Sequence, residues 1–220
     1  MKIAIVYCYP MVDTFRYFPL AQRFASTLLS FPAGKYAYEL HVVCNGASPT
    51  DNDRAPFNGI PATFHRYSNI GWDIGAFQWA ASEIHCDMMV CLGAPIHFYR
   101  PNWLDRMVDG FIDSGGGLCG IIGYIYPNLH IRTTAFWFPP VLLDSYPLAV
   151  GSSKESRYQF EHGNHSFTRH VLASGFQCSM VTWNGIYEAD SWLHDPWHQP
   201  WSNNVPGPDE ILLHDQHIHR

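Results

Sequence analysis

Residues 68–84 read SNIGWDIGAFQWAASEI, and the architecture of the chain can be worked out from this stretch. Its apolar positions from Ala76 to Ile84 step by one, three, one and three residues, which is the spacing of a single helical stripe. Asp73 is placed to cap the start of that helix. A short β-like run over 62–67 precedes the stretch, and a continuous apolar run over 88–92, typical of a buried strand, follows it. The three segments predict a strand, a helix and a second strand in succession.

The same alternation extends in both directions along the chain. Towards the N-terminus, apolar strand-like runs over 1–9 and 38–44 flank a helical stripe over 15–30. Towards the C-terminus, a helix that begins after Asn102, its expected N-cap, leads into a strand over 118–125. Strands and helices that alternate with short connections favour parallel pairing. We therefore predict an α/β fold, in which helices flank a mostly parallel central sheet within one domain.

The pattern becomes less regular after Pro127, and residues 47–61 read as a loop rich in Pro, Asp, Asn and Gly. Further along, the sequence predicts a β-like run, an irregular apolar segment, a helix, a strand and a loop-like tail, over 130–138, 139–147, 166–174, 176–183 and from 190 onward. No linker marks a second domain, so we expect one domain over 1–220.

Composition narrows the classes of partner. The chain has 220 residues and a formal net charge of -6, and it contains no run of Lys or Arg. An acidic surface repels phosphate backbones, which argues against nucleic acid as a partner, although a small anionic ligand remains compatible. Its six cysteines are scattered, which favours free thiols in a reducing compartment. No apolar run reaches the roughly 20 residues of a membrane span, and we expect a soluble cytoplasmic protein.

One segment carries a resemblance to a known family. Asn69-Ile70-Gly71-Trp72-Asp73-Ile74-Gly75-Ala76 resembles the NxGxDxGA-type segment of bacterial polysaccharide glycosyltransferases of the GT-A type, including the rhamnan-synthesis type. HIRTTAF at 130–136 and FEHG at 160–163 resemble later segments of those proteins, and the likeness runs over about residues 1–185. The resemblance implies a nucleotide-sugar donor and a saccharide acceptor. It divides the domain into a donor-binding half, 1–126, and an acceptor-side half with the C-terminal tail, 127–220.

The strand ends indicate where a nucleotide would bind, because ligands of open α/β sheets bind beyond the carboxyl ends of the strands. Tyr9 could stack on a base, and Asn45 could hydrogen-bond a base or ribose edge, although Asn45-Gly46 could equally be a simple turn. Asp73 could accept a hydrogen bond from ribose or base, or serve only as a helix cap. The remaining candidates for donor binding are Asn69, Gly71, Gly75 and His97, of which the glycines would permit close backbone approach.

The acidic Asp-x-Asp motif that GT-A enzymes place after a central strand is missing. Residues 92–97 read LGAPIH and contain no carboxylate to hold a divalent cation such as manganese or magnesium. Three explanations stay open. The enzyme could use helix N-termini, Arg or His in place of the metal; other residues could hold a metal; or catalysis could have been lost. His97 is the nearest substitute, and Arg132 could pair with a phosphate or with a structural carboxylate. His130 flanks the same run.

The general base of a sugar transfer is usually a carboxylate. Glu161, which the sequence places just before a helix, is the first candidate, and Asp144 is the second. Glu161 could instead complement the dipole of the helix that follows. In the tail, Asp215 and His217 are candidate metal ligands. Four tryptophans could stack on sugar rings or pack the tail onto the domain, namely Trp183, Trp192, Trp197 and Trp201.

Two other functions compete with glycosyl transfer. The first is a non-catalytic nucleotide- or carbohydrate-binding domain that kept the fold and lost the metal site. The second is a metallohydrolase built on the thirteen histidines. The second is disfavoured because no HxH or HExxH pair lies where a strand or helix would present it, outside the tail.

Overall fold

The structure, a computed structural model, describes residues 1–194 and 209–216, and an eight-stranded sheet dominates it. The order of strands across this sheet is β11-β10-β6-β9-β4-β1-β2-β3. The described strands are β1 (Ile3–Pro10), β2 (Glu39–Asn45), β3 (Ala62–Tyr67), β4 (Met88–Leu92), β5 (Ile96–His97), β6 (Leu118–Gly120), β7 (Gly123–Tyr124), β8 (His130–Ile131), β9 (Ala135–Phe138), β10 (Cys178–Val181), β11 (Ile186–Glu188) and β12 (His214–Asp215).

The helices occupy the connections between these strands. They are α1 (Thr14–Ser30), α2 (Asp51–Arg54), α3 (Trp72–Glu83), α4 (Trp103–Asp113), α5 (Pro140–Asp144), α6 (Lys154–His162) and α7 (Phe167–Ala173), with 3-10 turns at Ala55–Phe57 and Ala189–His194. Among the residues described, every helix is too short or too polar to pass through a lipid bilayer.

Strand directions confirm the predicted mostly parallel sheet. β1 pairs in parallel with β2 and β4, β2 pairs in parallel with β3, and β6 pairs in parallel with β10. Two strands run the other way: β9 lies antiparallel between β4 and β6, and β11 is an antiparallel edge strand. Two small sheets, β5 with β12 and β7 with β8, complete the described strands. The predicted α/β class with helices on both faces is therefore confirmed.

The alternation of side chains along β1 separates the two halves of the core. Ile5, Tyr7 and their neighbours on one face pack with α1 and α4, and the Tyr7 ring stacks on Phe24 with centroids 3.9 Å apart. Val6 and Cys8 pack on the other face with α3 and α5. Burying an aromatic or aliphatic side chain of this size contributes about 1.5–3 kcal/mol, so both faces drive the wrapping of helices around the sheet.

Several predicted segments differ from the structure for local reasons. The predicted loop over 47–61 contains α2, because Thr50 and Asp53 form a capping box that starts a helical turn. The runs over 118–125 and 130–138 each divide into two short strands, and the irregular segment over 139–147 contains α5. Helix α6 was not predicted. Its sequence KESRYQFEH buries only Phe160, so it has no apolar stripe to reveal it.

The N-termini of α3 and α4 also correct the predicted caps. Gly71, with φ +74°, occupies the N-cap position of α3, and Asp73 lies in the first turn, where its Oδ1 accepts from the Ile74 N–H at 3.1 Å. Asn102 is the N-cap of α4, as predicted, but its φ is +64° and its side chain forms no capping hydrogen bond. Backbone turns, and not side-chain caps, therefore start both helices.

Candidate active site

A cavity of about 570 Å³ lies at the carboxyl ends of the central strands. Within the sheet, β1 pairs with β2 along one edge and with β4 along the other, so the order of the strands reverses at β1. The cavity therefore lies at a topological switch point, which is where α/β sheets bind ligands. Its wall comprises Cys8, Pro10, Val12, Arg16, Tyr17, Asn45, Asn69, Trp72, Asp73, Gly93, Ala94, Pro95, Thr134, Lys154, Arg157, Tyr158, Glu161 and His162.

The strand-end wall, formed by Cys8, Pro10, Asn45, residues 93–95 and Thr134, carries no charge. Asn45 is almost fully buried, and its Nδ2 donates to the Cys8 Sγ at 3.7 Å. Among the described residues, the Asn45 Oδ1 and the Thr134 Oγ1 are buried without a hydrogen-bond partner. Both residues belong to the cavity wall, so their side chains are available to a ligand that displaces their present surroundings.

The opposite wall, here called the α6 wall, is formed by Lys154, Arg157, Tyr158, Glu161 and His162. These positions recur at intervals of three, one, three and one, so one face of α6 lines the cavity. The Nδ1 of His162 is a third buried polar atom without a partner among the described residues. Of this wall, only Glu161 was predicted. The helical spacing, together with the N-cap residue Ser153, is the signal in the sequence that could have revealed the others.

Glu161 is held in one orientation by Thr133. The Thr133 backbone N–H and side-chain hydroxyl both donate to the Glu161 Oε1, at 3.2 and 3.0 Å. Among the described residues no other hydrogen bond reaches this carboxylate, so its Oε2 can accept a proton or a hydrogen bond from the cavity. Glu161 precedes the predicted helix, which is α7, but it also lies in the last turn of α6. A carboxylate at the C-terminal end of α6 does not complement the dipole of α6 itself, and its role towards α7 stays a prediction.

Asp73 contacts the α6 wall from α3. Its Oδ2 lies 3.4 Å from the Arg157 guanidinium, and its side chain is 20% exposed. Burial raises the pKa of the Asp73 carboxyl, and the charge of Glu161 adds to the rise, while Arg157 opposes it. The same guanidinium lies over the Trp72 ring, 5.7 Å from its centroid. Asn69, which adopts φ +68°, lines the cavity beside them. The structure thus brings together Asn45, Asn69, Asp73 and Glu161.

The two glycines of the 69–76 segment have another role than the one predicted. A Cβ on Gly71 would collide with the Val150 carbonyl oxygen, and one on Gly75 would collide with the Ile70 carbonyl oxygen. Neither glycine lines the cavity. They permit close approach of the chain to itself, and not of the backbone to a ligand.

Tyr9 and His97 are not brought to the cavity. The Tyr9 ring points to the opposite face of the sheet, 6.4 Å from the Phe57 ring, and burial raises its pKa to about 12. His97 is buried in β5 against the ring of His214 in β12, with centroids 5.4 Å apart. Burial lowers the pKa of His97 to about 4, with the Arg23 charge adding to the effect. Both side chains therefore belong to the packing of the domain.

The predicted catalytic residues Arg132 and His130 also lie outside the cavity wall. Arg132 pairs with the fully buried Asp215 at 3.8 Å, which is the structural carboxylate partner considered for it. The His130 Nδ1 donates to the Asn128 carbonyl oxygen at 2.7 Å, and its ring lies 5.1 Å from His162. Burial lowers the pKa of His130. His130 therefore lies behind the cavity wall, next to His162, and the charge of Glu161 acts on it.

The remaining candidates fall elsewhere. Asp144 is exposed at the end of α5 and does not line the cavity. Trp192 is fully buried and donates its Nε1–H to the Tyr187 carbonyl oxygen, while Trp183 is partly buried beside Arg100. Trp197, Trp201 and His217 lie outside the described residues.

The described cavity wall contains no preformed metal site. Residues 93–95 offer no carboxylate, Asp73 is paired with Arg157, and Glu161 accepts from Thr133 through its Oε1. Nowhere in 1–194 or 209–216 do three His, Cys, Asp or Glu side chains converge on one point.

No family model matches the chain, and no curated protein matches its sequence. Solved structures do match its fold. Mannosyltransferase PcManGT from Pyrobaculum calidifontis, in complex with GDP-Man and Mn²⁺, is 14% identical with a TM-score of 0.56, over 82% of this chain and 54% of that one. Residues 1–349 of S. aureus TarS are 10% identical with a TM-score of 0.52, over 78% of this chain and 56% of that one.

A third match belongs to another enzyme class. CMP:2-keto-3-deoxy-manno-octonic acid synthetase, complexed with CTP, is 11% identical with a TM-score of 0.53, over 81% of this chain and 88% of that one. The chain spans little more than half the length of the PcManGT and TarS structures. Identities this low carry the fold and not the activity. The chain therefore has the GT-A fold that these glycosyltransferases share with a nucleotide-using synthetase.

Proposed function

We propose that the protein is a glycosyltransferase that moves a sugar from a nucleotide-sugar donor to a saccharide acceptor, in the assembly of a polysaccharide or glycan in the cytoplasm. One observation carries the proposal. The cavity at the switch point of a GT-A sheet is lined by polar and charged side chains, namely Asn45, Asn69, Asp73, Thr134, Glu161, His162, Arg16, Lys154 and Arg157. A polar, negatively charged ligand with several hydrogen-bonding groups, such as a nucleotide-sugar, would pair with them.

The chemistry of the wall supports one orientation of the donor. Asn45 offers an acceptor to a base or ribose edge at the end of β2, and Asp73 offers a carboxylate to a ribose hydroxyl or a base amide. Trp72 presents an aromatic face on which a base or a sugar ring could stack. These three side chains and Asn69 come from neighbouring segments, so the nucleoside would occupy the side of the cavity near β2 and α3.

Glu161 would act as the general base in a single displacement. Its Oε2 would take the proton of the acceptor hydroxyl while the acceptor oxygen bonds to the anomeric carbon. The bond from the anomeric carbon to the phosphate oxygen would break, and the nucleoside diphosphate would leave with the bonding electrons. Thr133, by holding the Glu161 Oε1, would keep the other oxygen directed at the acceptor.

Thermal-shift titration with a panel of nucleoside diphosphates and nucleotide-sugars tests donor binding, in EDTA and with manganese or magnesium. We expect stabilisation by one nucleotide series. Replacing Asp73 with Asn should weaken that series about 10- to 100-fold, because a charge-assisted hydrogen bond is lost. Glu83→Gln, the same acid-to-amide change at an exposed position of α3 outside the cavity wall, is the matched control. The absence of any nucleotide response, with or without metal, would contradict the proposal.

Turnover is tested with the stabilising nucleotide-sugar and a library of saccharide acceptors, by following release of the nucleoside diphosphate. Transfer releases the nucleoside diphosphate and forms a larger saccharide. A parallel incubation with nucleoside triphosphates and sugars tests the chemistry of the synthetase that shares the fold, because pyrophosphate can leave only from a triphosphate. Donor binding without turnover on any acceptor would indicate a non-catalytic nucleotide-binding domain.

A further inference from the structure

We propose that the cavity holds the diphosphate of its donor with three cationic side chains, Arg16, Lys154 and Arg157, where a GT-A enzyme would use a divalent cation. The inference rests on the proposed function, since it concerns the phosphates of a nucleotide-sugar. It names the side chains that would bind those phosphates, and it states that they would do so without a metal ion.

The distribution of charge supports this assignment. The chain contains 13 Lys and Arg against 19 Asp and Glu, yet three cations and only two carboxylates line the cavity. Arg157 is paired with Asp73, whereas the side chains of Arg16 and Lys154 form no salt bridge with any residue in 1–194 or 209–216. A concave site concentrates the field of such cations and attracts an anion. Cations without a salt bridge at the wall of this cavity favour a negatively charged ligand.

The positions of these cations in their helices point the same way. Lys154 is the first residue of α6, after the N-cap Ser153, and Arg16 lies in the first turn of α1. The N-terminus of a helix carries a partial positive charge, so a cation there is locally unfavourable. Side chains that break such a local rule tend to serve a site. Here the cations at the starts of two helices line one cavity, and a phosphate group would neutralise them.

The geometry of the walls explains why the cations come from helices. The strand-end wall is uncharged at 93–95 and supplies no metal ligand there. Opposite it, Lys154 and Arg157 lie on the same face of α6 as Glu161. A diphosphate between the two walls would meet Lys154 and Arg157 on one side. The proposed base would then lie one turn further along the helix, towards the acceptor.

Isothermal titration of inorganic pyrophosphate and of nucleoside diphosphates, in EDTA, tests the assignment. We expect binding without metal and little change when manganese is added. Lys154→Gln and Arg16→Gln, both at exposed positions, should each weaken binding at least about tenfold, because each removes a hydrogen bond to a charged group. Lys35→Gln, which removes an exposed positive charge outside the cavity, should leave the affinity unchanged.

Arg157 needs a different variant, because its loss would leave Asp73 without its cation. Arg157→Lys retains the charge and should keep most of the affinity, and circular dichroism checks that each variant is folded. Diphosphate binding that requires manganese, or that ignores both Lys154→Gln and Arg16→Gln, would overturn the inference and leave the proposed function standing. Pyrophosphate binding without any nucleotide response would support the cationic site and overturn the proposed function. No binding of either ligand would overturn both.

Discussion

The two walls of the cavity are built from different parts of the chain and have different chemistry. The strand-end wall is neutral, comes from residues before 135, and is continuous with the buried sheet. The α6 wall comes from a polar helix that buries only Phe160, and it carries two cations and a carboxylate. Charged groups that must meet a ligand are costly inside a sheet and inexpensive on an exposed helix. The strands thus determine where the site lies, and α6 supplies two of its cations and one of its carboxylates.

Glu161→Gln is the change expected to have the largest effect, because it removes the proposed base from the α6 wall. General-base catalysis contributes about 10²- to 10⁴-fold, so we expect the rate of transfer to fall by that factor while donor affinity changes little. Single-turnover kinetics and donor titration measure the two effects separately. Glu155→Gln, on the exposed face of the same helix, is the control. An unchanged rate would show that the α6 wall does not supply the base.

His97 tests whether β5 belongs to the packing of the domain or to the cavity. Its pKa in the folded protein is about 4, below its ordinary value of 6.5, so folding keeps it neutral. The unfolded chain binds a proton below pH 6.5, and stability is therefore lost as the pH falls from about 6.5 to about 4. The linkage amounts to about 3 kcal/mol in the free energy of unfolding.

Denaturant unfolding of the wild type and His97→Gln across that pH range checks this. Burial also lowers the pKa of His41, His65 and His130, so both proteins should lose stability in acid, but the variant should lose less. Nucleotide affinity should be the same in both proteins. Parallel stability profiles, or weaker nucleotide binding by the variant, would indicate that His97 reaches the cavity.

Gly75→Ala should have the smallest effect, and should change stability without changing the chemistry of either wall. The new Cβ would collide with the Ile70 carbonyl oxygen, and overpacking of this kind costs about 1–3 kcal/mol in the free energy of unfolding. The midpoint of denaturant unfolding measures it, with Ser82→Ala on the exposed face of α3 as the control. If the variant had normal stability but failed to bind nucleotide, Gly75 would contact the ligand, as the sequence predicted.

Prediction from the sequence was most accurate for strands and helices whose pattern of apolar residues matches the side chains that they bury. The predicted strands over 62–67 and 88–92 have the bounds of β3 and β4, and the helix between them is α3. The antiparallel β9 was not predicted as such, because its position between β4 and β6 depends on pairing with residues distant in the chain. Helix α6 was missed because its residues contact a cavity and solvent, and so show no apolar stripe.

The candidate site was predicted only in part, for a reason visible in β1. This strand is apolar on both faces, so its sequence contains no sign of which alternate residues face the cavity. The prediction chose Tyr9, whereas Cys8 and Pro10 line the cavity and Tyr9 points into the opposite layer. Asn45, proposed from the end of β2, and Asn69 and Asp73, proposed from the segment that resembles the NxGxDxGA type, do line the cavity, and their binding role stays a prediction.

The sequence by itself determined the alternation of strands and helices, the absence of a carboxylate at 93–95 and the general location of a ligand site, because periodicity and chain direction are local properties. Only the tertiary structure decided which polar side chains contact one another. Asp73 pairs with Arg157 across 84 residues, and Thr133 holds Glu161 across 28. Such contacts form only when folding brings together residues that are distant in the sequence, so no local pattern predicts them.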